Sequence, residues 1–105
     1  MYRIAAGEGL ETISAEKLMT MDGETVEVHG MVQRIRRLGW GAFIVLRRHD
    51  GLLQCVMGRD GNEEIIDSLL EEQSVAISGK VSQAKIKDKS IYPDTVEIQV
   101  ESLKV

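Results

Sequence analysis

The chain has 105 residues, the size of one ordinary domain, and its formal net charge is −4 at pH 7. Hydrophobic residues make up 43% of it and charged residues 29%, a balance typical of a soluble globular protein and not of a disordered one. No apolar run approaches the roughly 20 residues of a membrane span, and the N-terminal residues lack the apolar centre of a signal peptide. We therefore expect a cytoplasmic protein that does not contact a membrane.

The sequence contains no motif typical of catalysis or of metal binding. Its single cysteine, Cys55, lies in the apolar run LLQCVM, where a small side chain packs well, so we expect it in the core. His29 and His49 have no Cys or His partner at a zinc-ligand spacing. Neither a nucleophile elbow nor a phosphate-binding loop occurs. We predict that this chain carries no active site, metal or cofactor.

Positive charge is concentrated in two stretches of this acidic chain. Residues 33–49 contain five of the seven arginines and no acid, and residues 80–90 contain four lysines and one acid. The acids lie elsewhere, with six in residues 8–27 and five in residues 63–72. A net negative charge argues against general attraction to phosphate, whereas the two basic stretches favour a local attraction.

The predicted elements begin with a short helix in ISAEKLM, for which Ser14 is a suitable N-cap, and a turn at residues 21–24. The next segment, TVEVHGMVQR, places Val26, Val28 and Val32 on one face, the alternation of a half-buried strand. Gly30 falls on the same face and predicts a bulge or a sharp coil in that strand.

After a loop with two glycines, the runs AFIVLR and LLQCVM flank the turn RHDG and predict a hairpin. The segment NEEIIDSLLEE predicts an amphipathic helix with Asn62 as its N-cap and four apolar residues at helical spacing. Two further alternating strands, SVAISGKVS and TVEIQVESLKV, are joined by a polar loop at residues 83–94. The apolar residues of the helix are Ile65, Ile66, Leu69 and Leu70.

Five short strands with one helix between the third and the fourth is the order of the OB-fold, a small Greek-key barrel. A five-stranded barrel of the SH3 type does not usually carry a three-turn helix at that place. We predict a mainly β protein in which residues 1–22 form an N-terminal extension with a short helix and residues 23–105 form the OB domain.

If a four-residue turn at residues 48–51 joins the two strands of the hairpin, Arg47 pairs with Leu52 and Phe43 with Val56. One face is then wholly apolar and forms the core, with Ile44, Leu46, Leu53 and Cys55. The other face carries an aromatic ring, an amide and a guanidinium, which together can hold an unpaired base. Phe43 could equally pack under a loop or the first helix as ordinary core. The residues of this second face are Phe43, Val45, Arg47, Leu52, Gln54 and Val56.

Residues 30–56, GMVQRIRRLGWGAFIVLRRHDGLLQCV, resemble the N-terminal anticodon-binding OB domain of class II aspartyl-tRNA and asparaginyl-tRNA synthetases. The shared features are arginines before a leucine-glycine pair, the motif F-I-x-L-R, an acid-glycine turn and an aliphatic pair followed by glutamine. VAISGKV and EIQVESLKV resemble the last two strands of that domain. Met31 and Arg48 depart from the family, which usually has tryptophan and aspartate there, so the turn and its packing are expected to differ.

The resemblance implies that Phe43 stacks on the middle uridine of the anticodon, that Gln54 reads the edge of that uridine and that Arg36 contacts the anticodon loop. It also implies that Glu97 contacts the first anticodon base. The loop at residues 83–94 would help to distinguish the aspartate from the asparagine anticodon. The candidate nucleic-acid-binding residues are Arg36, Arg37, Phe43, Arg47, Gln54, Lys85, Lys87 and Glu97.

The resemblance further implies that the partner is the anticodon loop of tRNA. The parent enzyme would be a ligase, usually a homodimer, whose separate catalytic domain uses ATP and Mg²⁺ to attach the amino acid. Because no class II catalytic motif occurs here, we expect a fragment of such an enzyme more than a natural stand-alone module. Specificity for the aspartate tRNA, the asparagine tRNA or both stays open. The alternatives are an OB module that binds single-stranded nucleic acid with little sequence preference and a domain that docks a protein through the Phe43 face.

Overall fold

The computed structural model describes residues 3–4 and 13–105, which form a barrel of antiparallel and parallel strand pairs with two short helices. Neither helix in the described part of the chain is long and apolar enough to cross a membrane. The elements in chain order are β1 (Arg3–Ile4), α1 (Ala15–Leu18), β2 (Thr25–Leu38), β3 (Gly41–Arg48), β4 (Gly51–Gly58), α2 (Glu63–Ser68), β5 (Ser74–Gln83) and β6 (Val96–Lys104).

The sheet closes because strand β2 has a different partner along each half. Its first half pairs with β5, up to the pair of Met31 with Ser74, and its second half pairs with β3, from Met31 opposite Arg47 onwards. The strands follow the order β1-β2-β3-β4-β6-β5, and the pairing of β5 with β2 completes a barrel of five strands, β2 to β6. This confirms the predicted mainly β OB-fold, with a helix between the third and fourth barrel strands and a short helix before the barrel.

The predicted irregularity of the first barrel strand is present, but the bulge lies beyond Gly30. A Cβ atom at Gly30 would lie 2.8 Å from the carbonyl oxygen of Arg47, so glycine allows β2 to approach β3 closely. The register of β2 and β3 shifts between Val32 and Arg34, which makes Gln33 the extra residue. The strand then continues to Leu38 instead of ending at Arg34, so the predicted loop shrinks to Gly39 and Trp40.

The hairpin of β3 and β4 has the predicted register in every pair, including Phe43 with Val56 and Arg47 with Leu52. Its core face is completely buried, as expected. Burial raises the pKa of the Cys55 thiol far above its usual range, since a thiolate loses its hydration there. The buried side chains of this face are Ile44, Leu46, Leu53 and Cys55.

The tip of the hairpin forms hydrogen bonds with the segment that precedes the barrel. Arg48 is buried and its guanidinium donates to the carbonyl oxygen of Ile13, while the carboxylate of Asp50 accepts a hydrogen bond of 2.7 Å from the backbone N–H of Ala15. Burial lowers the pKa of Arg48. The Ser14 hydroxyl accepts from the N–H of Lys17, which confirms the predicted N-cap. The boundary between an extension (1–22) and the barrel (23–105) stays a prediction, because residues 1–2 and 5–12 lie outside the described ones.

The second helix is shorter than its apolar spacing predicted. It ends at Ser68, Leu70 is 62% exposed, and the side chain of Asn62 makes no capping hydrogen bond but donates to the carbonyl of Gly58. The chain leaves the helix because residues 72 and 73 hydrogen-bond to the backbone of Val32 in β2 instead. Such tertiary pairing overrides local helix preference.

Substitution of two paired glycines tests the close contact between β3 and β4. Gly41 lies opposite Gly58, but a Cβ at Gly41 would overlap the carbonyl oxygen of Met57, whereas a Cβ at Gly58 meets nothing within 4 Å. We expect Gly41→Ala to lower the free energy of unfolding by about 1–3 kcal/mol and Gly58→Ala to change it by less than about 0.5 kcal/mol. Urea denaturation measures both. Equal effects of the two substitutions would contradict the close approach.

The buried thiol makes a second test possible. With its pKa raised, Cys55 should react with an alkylating reagent at about pH 8 only when the protein unfolds, because the thiolate is the reactive form. Mass spectrometry should therefore show far slower labelling of the native protein than of the same chain in guanidinium chloride. Labelling at equal rates in the two conditions would rule out a core position.

Candidate nucleic-acid interface

A groove crosses the outer face of the barrel over β2, β3, β4 and β6, and the loop between β5 and β6 forms one of its walls. Its volume is about 660 Å³. We call it the cationic groove, and it is lined by Arg34, Arg36, Trp40, Phe43, Val45, Gln54, Val56, Ala84, Lys85, Ile86, Lys87, Asp88 and Glu97.

The register of three strands brings Phe43 to the middle of this groove. Arg36 of β2 and Val56 of β4 lie opposite Phe43 on its two sides. The bulge at Gln33 is what turns Arg36 to this face. Phe43 is half-buried, so its ring is neither a core side chain nor fully in solvent. Of the six residues predicted on this face, Phe43, Val45, Gln54 and Val56 line the groove, whereas Arg47 and Leu52 do not.

A second aromatic ring, Trp40, stands next to Phe43. The two ring centroids are 5.4 Å apart and the ring planes meet at 88°, a T-shaped contact. Trp40 is 52% exposed, which is unusual for the largest apolar side chain. Sequence analysis did not select it, although an aromatic residue three positions before Phe43, in a glycine-flanked turn, was a visible signal.

Gln54 is held by the carboxylate of Glu97. The amide nitrogen of Gln54 donates to one oxygen of Glu97 at 2.9 Å, and the amide nitrogen of Gln99 donates to the other at 2.7 Å. A carboxylate can only accept these bonds, so the NH₂ group of Gln54 faces Glu97 and its carbonyl oxygen is turned away. The order of donor and acceptor that Gln54 presents to the groove is thereby fixed.

The loop wall is tied to the sheet by an ion pair. Arg34 of β2 donates to Asp88 at 2.8 Å, with both side chains about half exposed. Hydrogen bonds from the hydroxyl and the backbone N–H of Ser90, together with Arg34, hold the pKa of Asp88 below its usual range. Four cations and two carboxylates line the groove of a chain whose net charge is −4. The four cations are Arg34, Arg36, Lys85 and Lys87.

The structure brings six of the eight candidate residues into one groove and places two elsewhere. Arg37 donates to the backbone carbonyls of Ile66 and Leu69, at the end of α2. Arg47 donates to Gln33 and pairs with Glu72 at 3.0 Å. Contact of these two arginines with nucleic acid stays a prediction. The six in the groove are Arg36, Phe43, Gln54, Lys85, Lys87 and Glu97.

Parity along a strand could not separate Arg47 from Phe43. The two share a face, but four residues of strand span about 13 Å, and the sheet curves over that distance. Sequence analysis also left Arg34 and Asp88 out of the site. The spacing of two between Arg34 and Arg36 was a signal that both could face the same way.

Comparison with known proteins agrees with this geometry. The family model for the tRNA anticodon domain, described as an OB-fold nucleic acid binding domain, matches residues 26–105. The chain is 37% identical over 89 residues to an aspartate–tRNA ligase of Lactobacillus johnsonii, which covers 80% of this chain and 14% of that protein.

Solved structures show the same similarity. An asparaginyl-tRNA synthetase from Pyrococcus horikoshii, complexed with asparaginyl-adenylate, matches with a TM-score of 0.73 and 27% identity, over 91% of this chain and 22% of that one. An aspartyl-tRNA synthetase from Entamoeba histolytica has the same fold, with a TM-score of 0.80 and 21% identity over 100% of this chain and 25% of that one.

The chain thus spans 14% of the length of the curated relative described above. The family match from residue 26 to residue 105 includes the whole cationic groove. This chain therefore belongs to the tRNA anticodon family of OB-fold nucleic acid binding domains.

Proposed function

We propose that this chain is the anticodon-binding domain of an aspartyl-type tRNA synthetase and that the cationic groove holds the anticodon loop of tRNA. The observation that carries the proposal is that Phe43 and Gln54, diagonal neighbours across the β3–β4 hairpin, line one groove together with four cations. Family membership and the likeness to aspartate–tRNA ligases support it. Unpaired loop bases are recognised by stacking and by hydrogen bonds to their edges, and this groove offers both.

In this proposal Phe43 stacks on the middle uridine of the anticodon. Val45, two residues along β3, and Val56, opposite Phe43 in β4, line the groove with it and would add apolar surface beside a stacked base. Stacking of a base on such a ring contributes about 1–3 kcal/mol. Arg36, directly opposite Phe43 in the sheet, would contact the adjoining phosphate.

Gln54 then reads the edge of the uridine, and Glu97 is the residue that positions it. With its NH₂ group turned to Glu97, Gln54 offers its carbonyl oxygen to the N3–H of uracil and its second amide hydrogen to a uracil carbonyl. Cytosine in the same position is rejected, because its N3 is an acceptor and would face the carbonyl oxygen of Gln54, which is also an acceptor. Glu97 also remains our candidate for contact with the first anticodon base, and Lys85 and Lys87 for contact with the loop.

The context of the whole enzyme is part of the same proposal. Its relatives are named as aspartate–tRNA ligases, so we propose that a separate domain attaches the amino acid with ATP and Mg²⁺, in a cytoplasmic homodimer. Comparing stem-loops that carry the aspartate and the asparagine anticodon would decide whether the domain accepts one or both.

Removal of the Phe43 ring tests the stacking. We expect Phe43→Ala to weaken binding of an anticodon stem-loop with a central uridine by about 1–3 kcal/mol, because the base loses its stacking partner. Fluorescence anisotropy with end-labelled RNA measures the Kd. Leu70→Ala, at an exposed apolar residue that does not line the groove, is the matched control and should bind as the unchanged protein does.

The same titration separates the alternatives. If stem-loops with each of the four central bases bind with equal affinity and binding depends steeply on salt, the domain binds single strands non-specifically and does not read the central base. Absence of RNA binding at low salt would point to a protein-docking domain and overturn the proposal.

Glu97→Gln tests the orientation of Gln54. A glutamine at this position can donate as well as accept, so the Gln54 amide is free to turn over and pair with cytosine. We expect the preference for a central uridine over cytosine to fall by about tenfold, since a mispaired polar group costs about 1–3 kcal/mol. Glu101→Gln removes the same charge from an exposed position of β6 and should leave the preference unchanged. An unchanged preference in Glu97→Gln would show that Glu97 does not position Gln54.

A further inference from the structure

We propose that Trp40 is a second base-stacking surface, which holds the nucleotide next to the one stacked on Phe43. This inference rests on the proposed function, because it assigns a further subsite in the same groove. The ligand is an unpaired nucleotide of either base class, since every base has a π face that an indole can stack on.

Trp40 is exposed where a structural tryptophan would be buried. Half of its surface, 52%, is in contact with solvent, and its T-shaped contact with Phe43 covers only part of the rest. It lines the cationic groove and not a separate part of the surface. A large exposed apolar side chain inside a cationic groove is typical of a binding surface.

The backbone that carries Trp40 is held by hydrogen bonds of the turn. Trp40 lies in the two-residue turn between the paired residues Leu38 and Gly41. Its carbonyl oxygen accepts from the N–H of Arg59 at 2.8 Å, and the Arg59 guanidinium donates to the carbonyl of Leu38 at 3.2 Å. Arg59 is itself paired with Asp67 of α2. A turn held in this way loses little backbone freedom on binding, and the contact with Phe43 restricts the Trp40 ring.

Because the two rings are nearly perpendicular, the base that stacks on Trp40 must belong to a second nucleotide. A base that stacks on Phe43 lies parallel to that ring, and the Trp40 ring stands at 88° to it. One planar base therefore cannot stack on both rings. Bases of a single-stranded loop can be splayed apart, so the neighbouring base can turn and stack on Trp40.

The groove has the volume and the charge for two nucleotides. Its volume of about 660 Å³ lies well inside the range of about 300–1,000 Å³ in which pockets enclose ligands larger than a single base. Arg36 lies opposite Phe43, and Arg34 lies two residues farther from the turn that carries Trp40, so β2 supplies two cations of the groove for the phosphates of the bound nucleotides.

The protein reports on this subsite by itself, because Trp40 is its only tryptophan. We expect the intrinsic emission to be quenched when the anticodon stem-loop binds. Trp40→Ala should bind that RNA about tenfold more weakly, Trp40→Phe should retain most of the affinity, and Leu70→Ala should match the unchanged protein.

RNAs that lack a single base distinguish stacking of a base on Trp40 from an indirect effect of Trp40 on the position of Phe43. We would remove the base on the 5′ side, on the 3′ side or at the central position of the anticodon, and measure the Kd of the unchanged protein and of Trp40→Ala for each RNA. If Trp40 stacks on a neighbouring base, the penalty of Trp40→Ala disappears for one flanking abasic RNA and persists for the central one.

The opposite pattern, with the penalty lost only for the central abasic RNA, would mean that Trp40 acts through Phe43 and would overturn the inference. The inference would also be overturned if RNA binding left the tryptophan emission unchanged and Trp40→Ala bound the RNA with undiminished affinity. If Phe43→Ala still weakened binding in that case, the proposed function would stand. Absence of RNA binding, or indifference to Phe43→Ala and to the central base, would overturn both.

Discussion

The extra residue at Gln33 in β2 decides which side chains the barrel shows to solvent. Before it, Val28 and Val32 face the core, and unbroken alternation would send Arg34 and Arg36 inward and leave Ile35 in water. The bulge reverses the alternation, so that Ile35 packs against the core and both arginines enter the groove beside Phe43. The same stretch of β2 passes from β5 to β3 and closes the barrel. The change of partner that closes the fold and the bulge that assembles the groove therefore lie in the same short stretch of β2.

The acidic composition and the cationic groove are compatible because exposed charges act over short distances. At physiological ionic strength the Debye length is about 8 Å, so acids beyond that distance contribute little to the potential inside the groove. Four cations against two carboxylates thus give the groove a local positive potential. One of the two carboxylates, Glu97, is occupied by the amides of Gln54 and Gln99, which further reduces its effect on an approaching phosphate.

The features that sequence analysis predicted are those that depend on short-range rules. The turn at residues 48–51 fixed the register of β3 with β4, and the register fixed the shared face of Phe43 and Gln54. The features that it missed depend on contacts between distant segments. Helix α2 ends early because Val32 takes the next backbone hydrogen bonds, and Arg37 binds the end of that helix instead of lining the groove. Neither contact can be recognised from the periodicity of the sequence.

The ion pair of Arg34 with Asp88 gives the groove an internal counterion. In the proposed complex, a phosphate that binds Arg34 would have to displace Asp88, a carboxylate of the protein itself. On single strands each phosphate contact normally contributes about 0.7 to the slope of log K against log salt. The ions that this slope counts are cations released from the nucleic acid, so a proposed contact through Arg34 would contribute the same slope as any other. Its affinity would be lower, because the ion pair with Asp88 must first break. Asp88 would therefore compete with a phosphate for Arg34 without changing the number of phosphates that the salt dependence counts.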